Sequence, residues 1–524
     1  MLHARVSFST RTTPAHQNSR PEKTNPNPNP TPPKPYKNRV GNGHLATVVS
    51  WGALHMAGLF NGACGSTQKA RLPSPVALNV PGGALTGSAL DMANGAFLRR
   101  WALPGGSVVE QRMWAHRTRK RMVVADFALV AGPGEAFALS SGWDSDVGNG
   151  CAGGFSNDIV WAAPSGAHPQ VWVGNTTRAS DAGFRPWVAI ALDAVPGTLT
   201  LSPAAPTARF LSAFAASLDF EGGEGGAADV AALAASEYAA AAAQPPTALW
   251  AEHAGAWAAL NSAGIDVFPA SSDPGDAARA ADVAAHANAS QYYLFSSLRE
   301  DSVAGISPGV RFDANLPAHP KPHPTFRTQP IPRTKQGLAT ENYQGAVFMD
   351  ADWWMEPPLY FLAPPLAAAI LQYRFFTIPV MKELAVRFGF GGYGGAMAAW
   401  TAAYLGNPFG CCDARGGYED CLEHHITGDI SFSAWQYFGA TGDVEWLRSV
   451  GWPLLSSTAD YHLSRVTPPP PPSAELVGDT PFHVLNVLPI DEWCALLRKI
   501  HPAPFSPKPA RKHFTPAPNP LASQ

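Results

Sequence analysis

Charge is scarce in this chain: Asp, Glu, Lys and Arg make up 15% of its 524 residues and leave a net charge of −3. No global basic field is therefore available to gather nucleic acid or an anionic membrane, and neither is expected as a partner. Long apolar runs are missing too. The longest, Pro357–Leu371, holds four prolines and falls short of the roughly 20 residues that cross a bilayer, so it is expected to be a buried segment. Cysteine is sparse, with six residues and no CxxC pair, which argues against a zinc site. Cys411 and Cys412 are neighbours, a poor start for a disulfide framework, so free thiols in a reducing compartment are expected. There is no Walker loop, GxSxG elbow or GxGxxG turn. The N-terminus has no apolar core of a secretory signal. Residues 1–21 carry Arg5, Arg11 and Arg20 and no acid, a composition that suits either a transit peptide or a disordered extension. A cytoplasmic location is expected, with an organelle as the alternative.

What the chain has in quantity is proline, 51 residues, together with 16 Trp and 46% apolar residues. Residues 21–37, 317–333 and 502–524, and the five-proline run within Thr467–Ser473, are polar Pro-rich tracts that cannot bury enough apolar surface to fold. The internal ones read as exposed loops, or else as mis-spliced sequence. Between about residues 40 and 225, short alternating or β-branched runs are punctuated by Gly, Pro, Asn and Asp: His44–Val49, Val108–Met113, Arg121–Leu129 and Gln170–Val173. They predict a large antiparallel sandwich. From Ala227 the period changes. Helices are predicted over Ala227–Gln244, Thr247–Gly264, Asp276–Arg299, Pro365–Phe388, Gly394–Leu405, Ile426–Thr441 and Asp443–Ser464, a β half followed by an all-helical half. The expected organisation is an extension over 1–39, a β-sandwich over 40–225, a helical linker over 226–275, a helical domain over 276–501 with Pro-rich insertions near 313–336 and 467–475, and a tail over 502–524.

Three acidic clusters are candidates for chemistry. Asp350-Ala-Asp352-Trp353-Trp354-Met355 puts two carboxylates among apolar aromatic neighbours, where charges are rare unless paired or functional. Tryptophan faces suit sugar rings, but Asp350 is equally a candidate helix cap ahead of the prolines at 357 and 358. Val487-Leu-Pro-Ile-Asp491-Glu492-Trp493 is a second acidic pair beside a Trp. Glycoside hydrolysis needs one protonated carboxyl and a second carboxylate, and burial beside Trp raises a Glu into the acid role; a solvated surface turn is the other reading. Glu423-His424-His425-Ile-Thr-Gly-Asp429 lacks an HExxH metal pattern. It fits the polar lining of a sugar pocket, or hydrogen-bonded residues at a helix start. The Gly391–Gly395 run has no preceding strand and reads as a turn.

Taken together these segments resemble glycoside hydrolase family 65. Gly41-Asn-Gly-His-Leu, Met56–Asn61 and Arg71–Pro75 resemble the family's opening, and Gln291–Arg299 its lead into the helices. Phe348–Pro357 is similar to the family's FWDTExxMxP block, with Met349 for Trp and Ala351-Asp352 for Thr-Glu. Tyr373-Arg374, Gly395-Ala396 with Trp400, Glu423-x-His425 and Ser464-Arg465 follow in family order, and Val487-x-Pro-x-Asp491-Glu492 is similar to the block that holds the general acid. Ala346 and Thr401 also depart from the family pattern.

The resemblance implies a β-sandwich followed by an (α/α)6 barrel, here incomplete, an inverting mechanism, and no metal or organic cofactor. It implies Glu492 as general acid, and Asp350, Asp352, Trp353, Trp354, Trp400, Glu423, His425 and Asp491 as sugar-binding residues. The expected activity is removal of terminal α-linked glucose, with glucosyl-galactosyl-hydroxylysine on collagen-like chains the leading substrate. A trehalase, an inverting disaccharide phosphorylase, and an inactive or sugar-binding-only homologue are the alternatives. No Asp or Glu follows Glu492, so no base that activates water from the opposite face of the sugar is expected beyond it.

Overall fold

A computed structural model describes residues 39–49, 52–63, 67–141, 158–302, 337–339, 345–347, 349, 351–388, 393–408 and 423–465. Its strands, β1–β18 in chain order, all precede its helices. A four-stranded sheet takes the order β1 (Arg39–Gly41), β2 (Leu45–Val48), β3 (Ala53–Met56), β6 (Leu72–Pro73). An eight-stranded antiparallel sheet takes the order β14 (Ile159–Trp161), β15 (Gln170–Thr176), β16 (Trp187–Leu192), β18 (Thr207–Ala216), β11 (Met122–Ala131), β10 (Val108–Ala115), β9 (Ala96–Ala102), β8 (Ala84–Asp91). Three short pairs complete the region: β4 (Phe60–Asn61) with β5 (Gln68–Lys69), β7 (Leu78–Asn79) with β13 (Ser140–Ser141), and β12 (Glu135–Ala138) with β17 (Thr198–Leu201). All four strands expected from alternation are present.

Successive side chains of a strand point to opposite faces, and the large sheet uses both. Val123, Ala125, Phe127, Val188, Ile190, Leu192 and Phe214 join Val40, Leu45, Leu54 and Met56 in one core between the two sheets. The intervening Met122, Val124, Ala189, Ala191, Ala213 and Ala215 form a second core with Val230, Ala234, Tyr238 and Ala241 of α1 (Ala227–Ala242) and Leu249 of α2 (Pro246–Leu260). The alanines on that face let an Ala-rich helix lie close to the sheet. The segment expected as a helical linker thus forms a third layer.

Trp257 of α2 carries the contact onward, stacking on Tyr292 of α3 (Pro274–Ser297) at 5.3 Å and 27°. Arg117 locks the same junction. Its guanidinium donates to the carbonyls of Phe295 (2.7 Å) and Leu298 (3.0 Å), groups that the end of α3 leaves without helical partners.

The remaining helices are α4 (Leu359–Leu362), α5 (Pro364–Phe376), α6 (Ile378–Phe388), α7 (His425–Thr441) and α8 (Trp452–Arg465). They share one apolar core that includes Phe295, Leu366, Ile370, Ile426, Ile430 and Leu454. Glycine ends α7: Gly442 has φ +65° and donates its N–H to Phe438 O at 2.8 Å, the left-handed cap that other residues rarely adopt.

Two helix expectations need correction. The span Pro365–Phe388 is broken at Thr377, because Pro379 has no N–H to continue the ladder from α5 and is tolerated only in the first turn of a new helix. Residues Gly394–Leu405 form no helix. Gly395 sits at φ +73°, where an added Cβ would lie 2.1 Å from Tyr461 N and 2.5 Å from Ser457 O. The backbone of this segment bonds outward instead, to Ser457 O, Met381 O, Thr427 Oγ1 and Val347.

Among the described residues no helix is long and apolar enough to cross a membrane.

Candidate active site

A wide helical turn, Ala351–Met355, opens the helical half of the site. Its residues divide by face: Ala351, Asp352 and Met355 are buried, whereas Trp353 and Trp354 are 41% and 64% exposed. Asp352 points inward to Arg374 of α5. The guanidinium donates from Nε to Oδ1 at 3.1 Å and from its other arm to Oδ2, a two-pronged pairing that suits the fixed fork of arginine. Both side chains are buried. Burial pushes the Asp352 carboxyl up and the Arg374 charge pulls against it; burial alone would lower the guanidinium, but Asp352 holds it above its usual value. Asp352 therefore anchors the turn, and Trp353 and Trp354 project from it. The Trp353 ring lies 4.9 Å from that of Phe432 on α7.

Glu356 follows the turn and is completely buried. Its Oε2 lies 2.7 Å from Ser433 Oγ, which in turn lies 2.8 Å from the Tyr360 hydroxyl. Its Oε1 is buried with no hydrogen-bond partner among the described residues. Burial, and then the neighbouring charge of Asp352, push this carboxyl well above the ordinary range. A neutral acid is the form that such a site tolerates.

The third cluster is assembled at the start of α7. His425 stands between two carboxylates: Nε2 is 3.0 Å from Glu423 Oε2, and Nδ1 is 2.8 Å from Asp429 Oδ2. Burial opposes a charge on the ring, but hydrogen bonds to Asp429 and Glu423 outweigh it and push the imidazole up to about 9. The ring is thus a cation at neutral pH, with both N–H groups donating. The same helix reaches the Ala351–Met355 turn directly, since Ser433 Oγ of α7 donates to Asp352 O at 3.2 Å.

Trp400 is half-buried and belongs to the segment that joins these parts. Val347, ahead of the turn, pairs with Ala402 through two backbone bonds of 2.9 and 2.8 Å, and Ala398 N donates to Thr427 Oγ1 of α7 at 3.0 Å. The structure therefore gathers Asp352, Trp353, Trp354, Trp400, Glu423 and His425 around one set of elements. Asp350, Asp491 and Glu492 lie outside the described residues.

Of the residues that complete the site, Glu356 was not named from the sequence, whereas Arg374 and Asp429 stood in a family-like block and a candidate cluster without a role of their own. Asp429 had a signal, since a carboxylate four residues after His425 shares its helix face. Glu356 had one too, as an acid immediately before the longest apolar run. Among the described residues no group of three or more His, Cys, Asp or Glu side chains is arranged to hold a metal ion.

Residues 326–469 match the family model described as "Glycosyl hydrolase family 65 central catalytic domain". Within this span the chain is similar to family 65, and the matched span contains every described residue of the site. Over 447 residues it is 25% identical to a protein-glucosylgalactosylhydroxylysine glucosidase of Dictyostelium discoideum, covering 82% of this chain and 55% of that protein. Over 169 residues it is 35% identical to a kojibiose hydrolase of Flavobacterium johnsoniae, covering 32% and 23% of the two chains. A solved structure titled "Putative kojibiose phosphorylase from human microbiome" superposes with a TM-score of 0.58 at 12% identity, over 82% of this chain and 55% of that one. That likeness concerns the fold, an antiparallel β-region followed by helices of the (α/α)6-barrel type. The chain spans about half the length of the relatives that it matches over most of its own.

Proposed function

We propose that this chain belongs to an inverting glycoside hydrolase that removes terminal α-linked glucose, with glucosyl-galactosyl-hydroxylysine as the leading substrate. The observation that carries the reading is the family 65 match over residues 326–469, the span that holds Asp352, Trp400, Glu423, His425 and Asp429. The glucosidase relative, matched over 82% of the chain, supports the choice of substrate.

In this reading Glu492 protonates the departing glycosidic oxygen and Asp491 lies beside it. Asp350 and Trp400 hold the glucose. Trp353 and Trp354 present flat apolar faces to further sugar units. Asp352 supports this surface through Arg374, and His425 offers a fixed positive charge. Inversion requires a second carboxylate, roughly 6.5–9.5 Å from the acid, to activate water on the opposite face; no described residue is assigned that role.

The test is glucose release from glucosyl-galactosyl-hydroxylysine, kojibiose and trehalose, each with and without inorganic phosphate. Phosphate-independent release that Glu492→Gln abolishes supports the proposal. Phosphate-dependent formation of glucose 1-phosphate identifies a phosphorylase instead. Binding of these glucosides without turnover identifies a sugar-binding homologue.

A further inference from the structure

The β4–β5 pair of the β-region contacts the chain ahead of the Ala351–Met355 turn. Lys69 of β5 is buried, and its Nζ donates to the carbonyls of Gly337 (2.9 Å) and Leu338 (3.3 Å). Its stem lies across Gly345. A Cβ added at Gly345 would stand 2.2 Å from Lys69 Cγ and 2.6 Å from Cε, and the backbone there has φ +88°. Glycine is required at 345 both by this conformation and by the lysine stem.

Two residues further on, Val347 makes its paired bonds with Ala402. Phe60 of β4 packs with Ala346, Ala403 and Tyr404 beside that pair. On the other strand, Leu405 N–H donates to Asp181 Oδ2 at 2.7 Å, again a residue of the β-region. The β-region thus grips both strands of the Val347–Ala402 bridge. One strand leads into the Ala351–Met355 turn, and the other follows directly from Trp400. An apolar side chain of the same length would fill the space beside Gly345 without the cost of burying an ammonium group, so the amine's contribution is the carbonyls that it holds.

We propose that Lys69 is a positioning residue of the site. By holding the carbonyls of Gly337 and Leu338 and packing its stem against Gly345 it sets the Val347–Ala402 bridge, and through it the placement of the Ala351–Met355 turn relative to Trp400. Its effect on turnover rests on the glycosidase reading above; the clamp itself does not.

The test uses the full chain with Lys69→Met, which keeps the stem and removes the donors. Hydrogen exchange at residues 345–347 and 400–405 is expected to rise by about tenfold or more, because these amides open locally, while the β10–β11 pair and α1 keep their protection. Lys69→Arg, which retains donors, is expected to restore most of it. Where an α-glucoside is turned over, Lys69→Met is expected to lower kcat/KM by about tenfold or more without a matching loss of thermal stability. Unchanged exchange at 345–347, or a uniform rise that includes β10–β11, overturns the proposal. If Lys69→Met does not fold, Gly345→Ala displaces the same stem and is expected to give the same local pattern; normal protection at 345–347 in that variant overturns the proposal equally. A wild-type chain without glucosidase activity counts against the function above and leaves the exchange result decisive for the clamp.

Discussion

Asp352 and Arg374 form a buried ion pair between the Ala351–Met355 turn and α5, with both arms of the guanidinium engaged and neither side chain exposed by more than a few per cent. Removing one partner strands the other charge, which costs about 3–5 kcal/mol in such settings. Asp352→Asn and Arg374→Met are each expected to destabilise the protein by that order. The double variant Asp352→Asn/Arg374→Met should lose much less than the sum, since no unpaired charge remains. Urea unfolding of the four proteins measures this. A loss below about 1 kcal/mol in both single variants would show that the pair does not anchor the turn.

His425 gives the helical region a pH signature. Its folded value is about 9, above the roughly 6.5 of an unfolded histidine. The folded state therefore holds this proton more tightly than the unfolded state. The stabilisation is fully present below about pH 6.5 and is lost as pH rises towards 9. Unfolding midpoints of the wild type should fall across that window more steeply than those of His425→Gln. Parallel pH profiles would contradict the Glu423–His425–Asp429 arrangement.

Gly395 tests the corrected course of residues 394–405. Gly395→Ala places a methyl group against the backbone of α8, at Tyr461 N and Ser457 O, and forces an L-residue to φ +73°. The left-handed conformation alone costs roughly 1–2 kcal/mol, and overpacking adds about 1–3. A neutral or stabilising result, as expected of Gly→Ala within a helix, would restore the helix that the sequence predicts there.

That segment also shows where sequence reasoning reaches its limit. The strands within Val108–Met113 and Arg121–Leu129 were legible because alternating or β-branched apolar residues mark them. The helix Ile426–Thr441 was legible for the same reason at a different period. Gly394–Leu405 misleads because a run of alanines scores as helix while its backbone partners lie on α6, α7 and α8, far away in sequence. The acidic, Trp-rich block was visible as a patch. The division of labour within it was not: a carboxylate turned inward and two indoles turned outward depend on Arg374, 22 residues away, and on Phe432 of α7. Glu356 was overlooked because a single acid beside apolar neighbours has the same appearance whether it is exposed or buried.

An inverting α-glucosidase releases glucose as the β-anomer. Proton NMR of the sugar first released from glucosyl-galactosyl-hydroxylysine, in phosphate-free buffer, reads this stereochemistry. β-Glucose is expected before mutarotation, and none with Glu492→Gln. Initial α-glucose, or release that survives Glu492→Gln, would rule the proposed mechanism out.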